Sequence, residues 1–275
     1  MGPETTVATA TDLLERPAVD PVDTRKTILW VTPVFQSVYP KPFQNFLGMA
    51  IAGTNAECQK YRIHVWVPER QLLHSAMNQA FDLAMKHDYD AVVLSDDDCG
   101  PPMDAISRLL RRYEAGHDVV AGVGFMRGYP HTTTIGRYFP EGTTLQTDPV
   151  TRETRMTGFY WIEDLDREQD RDGLIRADFC GFPIAIFSKR AIQAIAEKAA
   201  PWFGTEIDGG SCTHDVYFGV KAKRAGIQIL VDRQVSCSHL LDGAWLTESN
   251  RTISRQLGTA WKQANVEAIK QEQPV

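Results

Sequence analysis

Short apolar runs rich in β-branched residues alternate with segments of helical period through the first half of the chain, and this alternation narrows the possible folds most. Thr27–Val34 (TILWVTPV) is a β-rich run through Pro33, and Tyr61–Val67 (YRIHVWV) alternates as a second strand. Between them Phe43, Phe46, Leu47 and Ala50 recur at helical spacing. Leu72–Lys86 reads as a helix and Ala91–Leu94 (AVVL) as a buried strand. The order βαβαβ predicts a mostly parallel, doubly wound sheet whose ligands gather at the carboxyl ends of the strands.

The AVVL run leads through Ser95 into Asp96, Asp97 and Asp98, followed by Cys99-Gly100-Pro101. Pro101 and Pro102 suit a first helical turn, where a missing amide costs little, and Ile106, Leu109, Leu110 and Tyr113 form an apolar face ending at Gly116. Asp118–Phe125 resumes the sheet. Tyr138–Gly173 is long, polar and charged, with brief strand-like pieces such as Phe159–Ile162, and is expected to be a lid or acceptor-binding loop. Leu174–Ser188 is apolar but broken at Gly181–Pro183, a bend that suits close approach of a ligand or of another strand, or equally a packing kink. A helix Lys189–Lys198, a turn Pro201–Gly204, a helix Asp215–Ala225, a strand Ile227–Val231 and a terminal helix Thr247–Ile269 complete the pattern. The expected organisation is a mobile tail over 1–25, one catalytic domain over 26–245, and a C-terminal helix and tail over 246–275.

With 275 residues, 43% of them hydrophobic, the chain can bury one sizeable core. A net charge of -6 and a pI near 5.7 oppose nucleic-acid binding through a broadly basic surface, although a local basic groove stays open. No apolar stretch approaches the roughly 20 residues that span a bilayer, and the N-terminus lacks a secretory layout, so a soluble, cytoplasmic protein is expected. The five cysteines are scattered without CxxC spacing and read as small buried residues.

Three adjacent carboxylates at a strand end repel one another, and a divalent cation with a taste for hard oxygen ligands, Mg²⁺ or Mn²⁺, would relieve this. The bland alternative is a solvated acidic turn. Strand-like alternation would put Asp96 and Asp98 on one side and Asp97 on the other. Asp215 opens a helix, where a carboxylate favours the helix dipole without further role; facing a donor sugar it could serve as a general base. His239 follows the last strand and could join a metal site or be a hydrogen-bonded structural residue. Trp202 and Phe203 suit a sugar platform or core packing, and Arg127 and Arg137 suit a diphosphate counter-charge or plain surface.

DAVVLSDDDCGPPMDAISRLL (Asp90–Leu110), with DVVAGVGFMRGYP (Asp118–Pro130), ADFCGFPIAIFSKRAI (Ala177–Ile192), THDVYFGVKAKRAGIQILVD (Thr213–Asp232) and Cys237-Ser238-His239-Leu240, resembles the GT-A superfamily of glycosyltransferases over about Lys26–Leu241, and most closely its family 2 type. The resemblance implies a Rossmann-like α/β fold, with a mixed, mostly parallel sheet flanked by helices and built to bind a nucleotide sugar. Asp96 and Asp98 match the two aspartates of the DxD motif. It further implies Mn²⁺ or Mg²⁺ held by Asp98, Asp96 and His239, nucleotide-sugar contacts from Asp96, Asp97, Thr32, Pro33 and Asn78, a UDP-sugar donor and, if transfer is inverting rather than retaining, Asp215 as the base. Two positions depart from the family pattern. The usual acidic pair is here His214-Asp215, and the usual Arg-Asn before the DxD strand is Met77-Asn78.

The implied activity is hexosyl transfer to a hydroxyl acceptor: a small molecule, a polysaccharide, a protein or, as a minority reading motivated by Arg108, Arg111 and Arg112 on one helix, DNA with hydroxymethylated bases. Two other functions compete. A sugar-nucleotidyltransferase would need a glycine-rich basic triphosphate loop, whereas Thr32–Pro42 has no glycine and only Lys41. A non-catalytic nucleotide-sugar-binding module would bind without turnover. The oligomeric state is not encoded legibly.

Overall fold

A computed structural model describes residues 6–7, 24–34, 58–69, 71–128, 131–241 and 244–251. The main sheet has eight strands in the order Thr6–Val7, Tyr61–Trp66, Lys26–Val31, Ala91–Ser95, Ile184–Ser188, Val119–Val123, Ile229–Ser236 and Leu174–Ala177. The first four run parallel, as the alternation predicts, and so do Val119–Val123 and Ile229–Ser236. Ile184–Ser188 is inserted antiparallel between Ala91–Ser95 and Val119–Val123, and Leu174–Ala177 lies antiparallel at the far edge. The sheet is therefore mixed, with helices Leu73–Lys86, Ala105–Glu114, Lys189–Ala199 and His214–Ala225 on its flanks. Its central strands are apolar at almost every position because both faces are covered. Thr6–Val7, within the expected tail, instead pairs with His64 and Val65. Among the described residues no helix is long and apolar enough to cross a membrane.

One core face centres on aromatic rings. Phe81 meets Phe187, Trp202 and Phe203 at centroid separations of 5.1, 5.5 and 5.3 Å, and Phe203 stacks on Phe218 at 5.0 Å. Trp202 and Phe203 are 5% and 1% exposed, so the sugar-platform option falls and core packing stands. Phe218 lies on the helix His214–Ala225, which approaches the sheet through Gly219. A Cβ there would meet the Asp178 carbonyl oxygen and Phe179 Cβ, each at 2.5 Å. The backbone cannot yield as a side-chain tip could, so this glycine sets how closely the helix carrying Asp215 packs.

Several boundaries differ from expectation. Pro101 and Pro102 precede the helix Ala105–Glu114 rather than entering it, with Ala105 N–H bonded to the Pro102 carbonyl at 3.0 Å. The stretch Tyr138–Gly173 is structured: Thr144–Thr147 and Thr154–Thr157 join a four-stranded sheet, Phe159–Trp161 pairs with Ile135–Tyr138, and Leu165–Glu168 is a helical turn. These strands are short and exposed or half-buried at nearly every position, which hides them from a search for apolar runs. The strand expected at Ile227–Val231 runs from Ile229 to Ser236. The helix expected over Phe43–Ala50, and most of the one expected over Thr247–Ile269, lie outside the described residues. Cys99, Cys180 and Cys237 are buried.

Candidate functional site

Strand Ala91–Ser95 ends where its hydrogen bonding changes partners. Ser95 Oγ accepts from Trp30 Nε1 at 3.0 Å and lies 2.7 Å from Thr32 Oγ1, while Asp96 N–H bonds to the Pro183 carbonyl at 3.1 Å. Asp97 and Asp98 then form a turn, and Cys99–Gly100 pairs antiparallel with Ser238–Leu241. His239 stands opposite Cys99 in that register, and Leu240 N–H bonds to the Asp98 carbonyl at 2.9 Å. This local pairing brings the histidine to the aspartates. It depends on a bulge that moves strand Ile229–Ser236 from the pair Asp232–Gly122 to the pair Ser236–Val123. A Cβ on Gly122 would sit 2.8 Å from the Val235 carbonyl oxygen inside that bulge, so glycine is required there.

Asp96, Asp97 and Asp98 all line one cleft of about 380 Å³, with Arg127 and His239 beside them and Pro33, Gln71, Leu72 and Leu73 as an apolar-leaning wall. The expected split of Asp97 to the opposite face does not occur, because the strand stops at Ser95 and a turn has no period of two. The cleft lies at the carboxyl end of Ala91–Ser95, where an open α/β sheet places its ligands.

His239 Nδ1 lies 2.6 Å from the Phe125 carbonyl oxygen. That oxygen can only accept, so Nδ1 carries the proton and Nε2 presents its lone pair. Nε2 is 3.6 Å from Asp98 Oδ1 and accepts from Arg127 Nε at 3.0 Å. Burial holds the imidazole below its usual pKa; the Phe125 bond opposes this and the Arg127 charge adds to it. A neutral imidazole with its second nitrogen tied to a backbone carbonyl is the arrangement found behind metal-ligating histidines.

Ligand atoms of Asp98, Cys99 and His239 lie within 4.8 Å of one another. Burial pushes the Cys99 thiol well above its usual range, so it stays protonated, and its sulfur donates to Asp98 Oδ1 at 3.5 Å. The usable donors are therefore carboxylate oxygen and imidazole nitrogen, which fit Mn²⁺ or Mg²⁺ better than a thiolate-seeking metal. The charge balance also fits a cation. The Asp96 carboxyl is pushed up to about 7, first by burial and then by the negative charges of Asp97 and Asp215, with Arg127 pulling it down.

Asp215 occupies the first turn of helix His214–Ala225, and its Oδ1 accepts from Val216 N–H at 3.0 Å. Its charge is one of those that raise the Asp96 carboxyl, although Asp215 does not itself line the cleft. His214, beside it, has its pKa lowered by burial, with Asp215 opposing and His74 reinforcing the shift.

Other expected site residues have structural partners instead. Asn78 is absent from the cleft wall. Its Oδ1 accepts from Trp202 N–H and Phe203 N–H, both at 3.0 Å, and its Nδ2 donates to the Phe203 carbonyl at 2.8 Å. Thr32 is buried against Ser95, leaving Pro33 as the cleft contact of that pair. Arg137 binds Glu168 at 2.7 Å and the Arg176 carbonyl at 3.1 Å. Arg108 pairs with Asp104 and Arg112 with Asp232, each at 2.7 Å, while Arg111 of the same helix is exposed. The bend at Gly181 packs against Thr134, just ahead of strand Ile135–Tyr138: a Cβ there would sit 2.8 Å from Thr134 Oγ1. Gln71, Leu72 and Leu73 were missed because residues at the entry to a helix carry no chemical signature; only their place at the edge of the cleft marks them.

Replacing Asn78 with alanine would strand two backbone N–H groups and one carbonyl in a partly buried turn. Asn78→Ala is expected to cost about 2–4 kcal/mol in urea unfolding, with donor KM unchanged. A raised KM with unaltered stability would reinstate a nucleotide contact.

A mixed α/β sheet with a carboxylate turn at the end of a central strand defines a GT-A type of architecture. The model of glycosyl transferase family 2 matches residues 51–195, more than half of the chain, and the protein belongs to that family. The matched stretch contains Asp96, Asp97 and Asp98; Asp215 and His239 lie beyond it. No curated protein matches the chain. Among solved structures, the A197 protein of STIV is similar at 18% identity and a TM-score of 0.50, with 82% of this chain and 91% of that chain covered. A Drosophila β1,4-galactosyltransferase 7 mutant bound to manganese, UDP-Gal and xylobiose is 15% identical, with a TM-score of 0.44 and 79% and 71% coverage. A UDP-glucose pyrophosphorylase with UDP-glucose is 8% identical, with a TM-score of 0.42 and 87% and 99% coverage.

Proposed function

We propose that this family 2 glycosyltransferase moves a sugar from a nucleoside-diphosphate donor, a UDP-sugar being the first to test, to a hydroxyl acceptor with the help of Mn²⁺ or Mg²⁺. The observation that carries this reading is the pairing of Asp98 with a His239 whose Nε2 lone pair faces it, in a cleft shared with Asp96 and Asp97. Asp98 and His239 would hold the metal, and Asp96 and Asp97 would orient the ribose or metal-bound water. When bound, the metal would neutralise charge developing on the departing diphosphate. Pro33 and Leu72 offer apolar surface to the nucleoside.

Asp215 supplies the remaining function. Its carboxylate would take the acceptor hydroxyl proton as the acceptor oxygen bonds to the anomeric carbon and the bond from that carbon to the diphosphate oxygen breaks. A base acting this way implies inversion of configuration. The acceptor class stays open among small molecules, polysaccharides, proteins and modified DNA.

A panel of nucleotide sugars tests this, read by thermal shift and by nucleotide release with and without Mn²⁺. One donor is expected to raise Tm only when metal is present and to release nucleotide slowly without acceptor. Stabilisation without release would favour a binding module. Pyrophosphate-dependent formation of a nucleoside triphosphate would favour nucleotidyl transfer, and no response to any donor would overturn the proposal.

A further inference from the structure

Arg127 stands where a divalent cation would stand. Its Nε–H donates to His239 Nε2 at 3.0 Å, and its terminal nitrogen forms an ion pair with Asp98. His239 Nε2 faces the other oxygen of that carboxylate, Asp98 Oδ1, across 3.6 Å, and the metal reading uses the same imidazole nitrogen and the same carboxylate. The imidazole has one lone pair in the ring plane at Nε2, so it can serve an N–H donor or a metal ion, never both at once. Two cations would also repel strongly at this separation beside a partly buried carboxylate.

We propose that Arg127 is the exchangeable resident cation of this site, and that it and a divalent metal bind Asp98 and His239 in mutual exclusion. The inference rests on the metal site proposed above and adds what holds that site before metal arrives. Three adjacent carboxylates, Asp96, Asp97 and Asp98, line the cleft, and their charges repel unless a cation stands among them. The guanidinium supplies the missing positive charge and keeps the imidazole lone pair aimed at Asp98. Arg127 lies two residues after Phe125, whose carbonyl fixes the other imidazole nitrogen, so both halves of the contact come from one short stretch of chain.

The geometry also permits departure. The Arg127 side chain is 54% exposed, against 19% for Asp98, so swinging away sacrifices little packing. Arg127 lines the cleft, so after displacement its charge stays beside the place where a donor diphosphate would lie. Arg127 thus acts against metal affinity in the empty cleft and moves to the donor when the metal and diphosphate come together.

Mn²⁺ titration calorimetry on the full chain tests this, comparing the native protein with Arg127→Gln, Arg127→Met and Asp98→Ala, alongside metal-free thermal melts. The neutral variants are expected to bind Mn²⁺ at least about tenfold more tightly than the native chain, equivalent to about 1.4 kcal/mol. Their metal-free Tm is expected to fall, because the acidic turn loses its counter-charge. Binding by Arg127→Gln and Arg127→Met with no measurable binding by the native chain would support the same exclusion. Native binding that Asp98→Ala abolishes but that both neutral variants leave equal or weaker would overturn this inference and spare the metal site. Absence of Mn²⁺ binding in native and neutral variants alike would overturn both.

Discussion

Asp215→Asn is expected to lower kcat by about 10²–10⁴-fold while KM for the donor and the metal affinity stay near native values. Asparagine keeps an oxygen for the Val216 N–H bond at the start of helix His214–Ala225, so the helix end loses at most a few tenths of a kcal/mol. What it cannot do is accept a proton from an attacking hydroxyl. A purely structural Asp215 would show itself as altered stability with kcat within tenfold of native. A second variant separates Asp215 from its neighbour: His214→Gln alone should leave most of the turnover if the carboxylate is the base. Steady-state kinetics at saturating metal, with urea unfolding as the stability control, decides between these outcomes.

Asp98→Ala is expected to have a comparable effect for a different reason. It removes a carboxylate from the only group of at least three metal-ligand side chains found among the described residues, and leaves His239 facing Arg127 alone. If the metal supplies several kcal/mol to the departing diphosphate, metal-dependent turnover should fall on the order of 10³-fold. His239→Ala should act in the same direction, and the Mn²⁺ binding heat should vanish in both variants. Retained, metal-independent turnover in Asp98→Ala would mean that protein cations such as Arg127 stabilise the leaving group unaided.

Much of this site was legible beforehand, for a physical reason. A strand end followed by three carboxylates is contiguous in sequence, and burial on both sheet faces makes its apolar run unmistakable. The start of helix His214–Ala225 was equally plain, since an aspartate in the first turn before an amphipathic run is a local signal. Asn78 was not legible as a structural residue. Its partners, Trp202 and Phe203, reach it only because Phe81, Phe187 and Phe218 gather them into one core.

The sequence by itself determined the alternation of strands and helices, the α/β class, and the acidic turn at the mouth of the sheet, because hydrophobic period and capping chemistry act over a few residues. Only the tertiary structure decided that Ile184–Ser188 runs antiparallel inside the sheet, that a bulge opposite Gly122 delivers His239 to Asp98, and that Arg127 rather than Arg137 joins them. Those outcomes depend on register between strands distant in the chain, where a shift of one residue turns a side chain to the other face.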